Sequence, residues 1–421
     1  MDVIVERGCG LDVHEASIVA CLLIGPPGKK PKREVRRFGA NTRDLVALRE
    51  WLEESQCTHV AMESTGVFWR PVYNVLEGGF DITVGNAFHM RNVPGRKTDV
   101  KDAEWIADLL RHGLIKKSFV PPAPIRDLRD LMRYRRTIVE ERSRERNRTL
   151  KVLETANIKL SGVATNVFGG SGIAILEMIA NTKVTSADRL ASLAKGTMRK
   201  KRDQLVVALD GRLRDHHRLM LRLALKRLRA IDEDLEAIDA EVRKRLVPYW
   251  SQFIALQKIP GVGATTAATV IAEAGVEIAA FPTPPQFAAW AGLCPGNNES
   301  AGKKLGARLR KGNVWLRTAL VEAAHAATHK RDSYLRAKYH RLKARRGAGR
   351  ANAAIAHKLL IAIHHVLFGA RPYVDLGVAY LDRRGGDQAR RTLVRRLEHM
   401  GFRVDLTPLL PDAQEKEECL S

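Results

Sequence analysis

Gly10-Leu11-Asp12-Val13, His14-Glu15-Ala16-Ser17 and Ile18-Val19-Ala20-Cys21-Leu22-Leu23-Ile24, read in series, decide the fold of the first third of the chain. The last seven residues are an unbroken apolar run of strand length, the first four end a shorter strand, and residues 12–17 suit a hairpin between them. Working outward, residues 35–38 form a weaker third strand after the basic turn Gly28-Lys29-Lys30-Pro31. Residues 42–54 carry Leu45, Leu48 and Leu52 at helical spacing behind Asn41 or Thr42 as N-cap. A fourth strand over 58–62, a helix over 67–76, a fifth strand over 80–84 and a helix over 99–111 come next. Three consecutive strands can form an antiparallel meander, whereas the later two need helical crossovers. The predicted fold of residues 1–124 is therefore α/β, a mixed sheet with flanking helices.

Pro121-Pro122-Ala123-Pro124 breaks the chain, and the stretch from there to about residue 249 is charged and almost free of proline. Leu221, Leu228, Leu235 and Val242 recur every seven residues, with Leu225, Ile231, Ile238 and Leu246 three or four away. That pattern is an a/d seam, which predicts a two-helix or dimeric coiled coil or one long helix packed within its own subunit. As the link between subunits, it would make residues 125–249 a coiled-coil linker and oligomerisation region. Residues 161–172 are Gly/Ser-rich and read as a loop. Residues 250–375 read as all-α, with helices over 264–275, 314–328 and 351–368 and a polar loop over 296–306. Residues 376–421 form a charged tail.

The whole chain of 421 residues carries 71 Lys and Arg against 47 Asp and Glu, a net charge of +24. At 45% hydrophobic residues it can bury real cores, so a wholly disordered chain is excluded. Such a surplus of positive charge in a folded protein calls for a polyanion, nucleic acid first and a membrane surface second. Fifteen Lys or Arg and two acids, Glu322 and Asp332, fall between Ala301 and Arg350, so half the surplus lies in one segment. No secretory signal is legible at the N-terminus and no uncharged span of about 18 apolar residues exists. No membrane is expected. The five cysteines are scattered and form no Cys-x-x-Cys pair, which fits a reducing cytoplasm rather than a disulfide framework or thiolate zinc site.

Four acids stand out by position. Asp12 ends the first strand, Glu63 ends the fourth, and Asp99 and Asp102 share a helix face. An acid in a helix's first turn needs no metal to explain it, so any one of these alone says little. Together, at strand ends and on one helix face of such a sheet, they can converge. Converging carboxylates repel, and hard dications with oxygen ligands, Mg²⁺ or Mn²⁺, relieve the repulsion. Two such ions can flank a scissile phosphodiester.

Gly10-Leu11-Asp12-Val13-His14, Met62-Glu63-Ser64-Thr65-Gly66 and Arg96-Lys97-Thr98-Asp99-Val100-Lys101-Asp102-Ala103 resemble the DEDD signature of bacterial insertion-sequence transposases of the IS one-ten type. The resemblance continues in order through Ile259-Pro260-Gly261-Val262-Gly263, Trp290-Ala291-Gly292-Leu293-Cys294-Pro295, Ser300-Ala301-Gly302-Lys303 and Lys311-Gly312-Asn313-Val314-Trp315-Leu316-Arg317. It implies a RuvC-like, RNase H-type N-terminal domain with Asp12, Glu63, Asp99 and Asp102 as metal-binding catalytic acids. It also implies a coiled-coil middle and a helical C-terminal domain whose nucleophile is Ser300. The family is similar to bridge-RNA-guided recombinases, so a structured guide RNA is implied beside target and donor DNA, and with it a bacterial, nucleoid-associated setting.

The chemistry around Ser300 is compatible with that role. A serine hydroxyl needs activation to attack, and Lys303, Lys304, Arg308, Arg310, Lys311 and Arg317 follow it closely enough to hold a phosphate. Lys97 stands beside Asp99 in the same way. Gly261 and Gly263 suit either a helix-hairpin-helix turn that lets backbone N–H groups approach a phosphate or a plain helix–helix turn. Tyr334 and Tyr339 read as packing residues before base-stacking ones, and the histidines of 325–365 as helix-face or phosphate-contacting residues. The acids and Ser300 lie in different regions and would meet in a composite site of a dimer or tetramer joined through the seam. The competing activity is a metal-dependent, junction-resolvase-like endonuclease in which water attacks and Ser300 is incidental.

Overall fold

A computed structural model describes residues 3–87, 90, 102–183, 186–277, 280–294, 298–300, 303–306, 309–369 and 371–406, with the backbone alone described at 298–300, 303–306 and 382–390. The chain divides into two compact units, Met1–Pro121 and Pro122–Ser421.

In the first unit, β1 (Arg7–Val13), β2 (Ser17–Ile24) and β3 (Lys32–Gly39) form the expected meander. The Ser17 carbonyl accepts from the His14 N–H at 3.0 Å and closes the first turn. Helices α1 (Thr42–Glu54) and α2 (Trp69–Leu76) carry the chain to β4 (His59–Glu63) and β5 (Asp81–Gly85). The strand order is β3-β2-β1-β4-β5, with β1, β4 and β5 parallel. The edge strand β3, Lys-Arg-Glu-Val-Arg-Arg-Phe-Gly, is basic and mostly exposed, which discourages another strand from pairing with it.

Side-chain alternation divides the sheet into two faces. Cys9, Leu11, Ile18, Leu22, Val60 and Met62 point to one face, where they pack with Leu48, Leu52 and Leu76 of α1 and α2. Gly10, Asp12, Ala61 and Glu63 alternate with them onto the other. There α3 (Asp102–Arg111) lies, with Ile106, Leu109 and Leu110 against Ala61 and with Ala103 and Ala107 against Cys21 and Leu23. β2 is buried on both faces, which is why its sequence is an unbroken apolar run.

In the second unit, α4 (Ala123–Thr155) and α9 (Asp215–Leu246) form a long antiparallel hairpin. Ion pairs Asp127–Arg245, Arg135–Asp239 and Arg142–Asp232 run in opposite sequence order along it. Between the two helices lie α5 (Leu160–Val163), α6 (Gly170–Asn181), α7 (Ala187–Ala191), a 3₁₀ turn (Gly196–Lys201) and α8 (Arg202–Leu209). After the hairpin come α10 (Trp250–Gln257), α11 (Ala264–Ala274), α12 (Pro284–Trp290), the paired β6 (Asn298–Ser300) and β7 (Lys303–Gly306), then α13 (Val314–Ala327), α14 (Tyr334–Arg346), α15 (Ala348–Phe368) and α16 (Tyr380–His399).

Several expectations are corrected here. The seam residues Leu221, Leu225, Leu228, Leu235, Ile238, Val242 and Leu246 are buried within the chain. α4 supplies the partner helix, so of the arrangements that the spacing allowed, the structure shows the two-helix coiled coil within one chain. The 161–172 stretch contains the end of α5 and the start of α6, and the polar 296–306 stretch contains the β6–β7 pair. The charged tail begins with the helix α16. Among the described residues α15 is long and apolar enough to cross a membrane by length and composition, yet its Ile355, Leu359, Leu360 and Ile363 are fully buried inside this unit.

Candidate active site

The β1–β4 register pairs Gly10 with Ala61 and Leu11 with Met62, so the next residues, Asp12 and Glu63, leave adjacent parallel strands side by side on the α3 face. α3 comes close because Gly10 has no side chain: a Cβ there would lie 2.2 Å from the Ala103 carbonyl oxygen and 2.3 Å from the Ala107 nitrogen. Asp102 is the first residue of that helix. Glu104, in the same turn, takes the Arg33 guanidinium of β3 on both oxygens at 2.8 Å, which ties the helix start to the sheet edge.

Asp12 is 26% exposed, with His14 Nε2 3.1 Å from its Oδ2. The Thr65 hydroxyl donates to Glu63 Oε1, and the Ser64 N–H donates to the Gly85 carbonyl at 2.9 Å, which fixes the turn after β4. Two carboxylates abreast on one sheet face suit a hard cation, with all-oxygen donors and no thiolate or imidazole required. Among the described residues no group of three or more His, Cys, Asp or Glu is arranged to hold a metal ion. Asp99 and Lys97 lie outside the described residues, so the structure brings Asp12 and Glu63 together and places Asp102 at the head of the covering helix.

The C-terminal unit builds a base for Ser300. The Arg310 N–H donates to the Cys294 carbonyl at 3.2 Å and the Asn313 N–H to the Trp290 carbonyl at 3.0 Å, so the two ends of the segment carrying β6 and β7 are joined. Gly292, at φ +70°, and Gly312 touch backbone to backbone, and a Cβ on Gly312 would lie 2.4 Å from the Gly292 nitrogen. Asn313 caps α13 through its Oδ1 and gives its Nδ2 to Glu273 at 2.7 Å. Glu273 is 1% exposed and is held by Arg133 through two 2.8 Å bonds, while Arg129 donates to the Ala272 and Glu273 carbonyls. A buried carboxylate is tolerated only when its oxygens are satisfied in this way. Between those joined ends Ser300 pairs with Lys303, and Glu299 with Lys304, across the hairpin.

The cations after Ser300 are placed unevenly. Arg310 and Lys311 are exposed. Arg317 donates to the Arg310 carbonyl at 3.2 Å, so part of its role is to hold the returning strand. Arg308 lies outside the described residues. Gly261, at φ +81°, is packed against α13, where a Cβ would be 2.2 Å from the Ala323 carbonyl oxygen, so this turn serves close helix packing. Gly263, immediately before α11, faces open space. His329 Nδ1 lies 2.9 Å from the His325 carbonyl and His364 Nε2 lies 2.8 Å from the Phe281 carbonyl. Tyr334 packs edge-on against Tyr380.

Glu273 and its two arginines were absent from the sequence-derived candidates. One signal was there: Glu273 is the lone charged residue of α11, Ala-Thr-Thr-Ala-Ala-Thr-Val-Ile-Ala-Glu-Ala.

Comparison with known proteins gives the same order of parts. The transposase model for the DEDD domain of IS110 matches residues 9–158, and the model described as transposase IS116/IS110/IS902 family matches residues 254–340. The chain is 39% identical over 111 residues to the transposase for insertion sequence element IS1111A of Coxiella burnetii, a match covering 24% of this chain and 29% of that protein. It is 30% identical over 106 residues to a probable family 20 transposase of Pseudomonas aeruginosa, covering 24% of this chain and 31% of that protein. The matched part is thus under a third of the length of each of these relatives. With one transposase model on the sheet unit and α4, and the second on the β6–β7 pair that carries Ser300 and the helices around it, the chain belongs to the IS110-type transposase family.

Proposed function

We propose that this chain is a DNA transposase (recombinase) of an insertion sequence that cuts and rejoins DNA through two sets of its own residues. The reading is carried by one observation, the pairing of Asp12 and Glu63 abreast on the sheet face covered by α3. In a RuvC-like domain, which the β3-β2-β1-β4-β5 order supports, these two with Asp99 and Asp102 would hold Mg²⁺ or Mn²⁺. Bound there, such ions offset the negative charge of a phosphodiester and of the oxygens exchanged on it. Asp12 and Glu63 are held for that purpose by His14 and Thr65.

Ser300 is the nucleophile of this reading. Its oxygen forms a bond to phosphorus as the strand's own P–O bond breaks, and the proton lost by the hydroxyl is matched by one taken up at the leaving oxygen. A phosphoserine keeps the number of phosphoester bonds constant, so the reverse step rejoins a strand without an external energy source. Lys303, Lys304, Arg308, Arg310, Lys311 and Arg317 neutralise the phosphates nearby. Lys97 does the same beside the acids, and the backbone at Gly263, where a Cβ would meet nothing, adds a contact. A structured guide RNA, a homo-oligomeric assembly and a cytoplasmic, nucleoid-associated location belong to the same proposal.

Ser300→Ala should abolish strand exchange and remove the denaturant-resistant protein–DNA adduct, read by gel after incubation with Mg²⁺. An alanine variant that still cuts DNA would transfer attack to water and make the protein an endonuclease.

A further inference from the structure

The segment between α4 and α9 takes no part in the chemistry above, yet it has a core of its own. Leu160, Ile175, Leu176, Ile179, Leu190 and Leu205 are buried together with Leu153 near the end of α4 and Leu221 near the start of α9. This core sits at the far end of the hairpin from Arg129 and Arg133, which grip Glu273 beneath the Ser300 segment. From Arg133 to the end of α4 at Thr155 the helix runs about 33 Å at 1.5 Å per residue.

A basic turn lies on that core. Lys195, Arg199, Lys200, Lys201 and Arg202 are all exposed within eight residues of chain. Arg202 has the exposed Asp188 at 3.9 Å, whereas Lys195, Arg199 and Lys200 have no carboxylate partner among the described residues. The turn is fastened to the Gly/Ser-rich stretch 161–172. The Lys195 N–H donates to Ser171 Oγ at 2.9 Å and Lys201 Nζ donates to the Val163 carbonyl at 3.1 Å. Gly162, Gly170 and Gly196 each face open space where a Cβ would stand, and Gly196 has φ +58°. Unscreened cations beside side-chain-free main chain are what a phosphate needs for close approach. Their mutual repulsion is screened by salt and is relieved further by a polyanion, which releases the counterions.

The spacing selects the polyanion. A DNA duplex is straight over 33 Å, its persistence length being about 500 Å, and at about 3.4 Å per step that distance is roughly ten base pairs. We infer that the Lys195–Arg202 turn and the adjoining 161–172 backbone bind the phosphates of duplex DNA roughly ten base pairs or more from the strand held at Ser300. This rests on the DNA-transposase reading, and it makes the helical insert a grip on flanking DNA at the end of a rigid strut.

The test is fluorescence anisotropy with the full chain, using 8-base-pair duplex DNA (about 27 Å, shorter than the strut), 40-base-pair duplex DNA and a 20-base-pair RNA hairpin. A Lys195→Ala, Arg199→Ala, Lys200→Ala triple variant should lose about tenfold in affinity for the 40-mer, which can reach both ends of the strut, and twofold or less for the 8-mer, which cannot. Lys200→Glu alone should act in the same direction, and both variants should keep the parent's melting temperature, since every altered side chain is exposed. Equal losses on both DNA lengths, or none, would overturn the inference. So would a loss confined to the RNA hairpin, which would make the turn an RNA contact. Because binding alone is read, a negative result with Ser300→Ala leaves this experiment intact. A parent chain that binds no duplex at all would sink the transposase reading along with it.

Discussion

Gly10 shows how one residue governs the acid face. Its missing side chain is the space filled by the α3 backbone. Gly10→Val must push the helix off the sheet or bend β1, and overpacking of this kind costs about 1–3 kcal/mol. The variant should unfold at lower denaturant than the parent and lose DNA cleavage, because Asp102 moves with α3 while Asp12 and Glu63 stay on their strands. A parent-like midpoint would mean that Gly10 is not the point of closest approach. Glu273 is the counterpart in the second unit. A carboxylate that deep survives only because Arg133, Arg129 and Asn313 converge on it from two other parts of the chain. Glycines and acids are visible in any sequence. Which of them are indispensable depends on what lies opposite, and a sequence does not show that.

The elements were mostly legible, and their pairings were not. The five strands and the helices at 42–54, 264–274 and 314–327 fall where apolar spacing puts them, because periods of two and of three to four residues reflect backbone geometry alone. The seam of α9 is the instructive exception. Its heptad spacing states that another helix covers Leu221 to Leu246, and nothing in the spacing states whose helix. α4 covers it with a charge-rich sequence whose apolar positions are too diluted by Arg and Glu to advertise a matching stripe. Leu228→Ala should cost about 2–5 kcal/mol, the usual penalty for emptying a buried leucine site. Leu228→Ala should leave the oligomeric state unchanged in analytical ultracentrifugation, since the seam is filled within one chain. Dissociation of the assembly in that variant would assign the seam to a second subunit after all. The short β6–β7 pair was missed because three- and four-residue strands, Asn-Glu-Ser and Lys-Lys-Leu-Gly, contain no alternation to read.

For the whole molecule the controlling quantity is the charge of +24. Spread over a folded surface, it makes nucleic-acid affinity a matter of counterion release. The logarithm of the binding constant should fall by about 0.9 per logarithmic unit of salt for each duplex phosphate neutralised. With contacts on the Ser300 segment and on the insert, the slope for a 40-base-pair duplex should exceed that for an 8-mer, which a titration from low to high salt measures directly. Equal slopes would mean that a single patch does all the binding.

The sequence by itself determined the order of strands and helices, the excess of basic charge, and the positions of four acids and a serine, because local periodicity and composition act over a few residues at a time. Tertiary structure decided that Asp12 and Glu63 stand abreast on the α3 face, that α4 fills the α9 seam, and that Glu273 anchors the base of the Ser300 segment. Each of those is a contact between residues tens to more than a hundred positions apart. Such contacts arise from packing and charge pairing in the folded chain, and they leave no periodic trace along it.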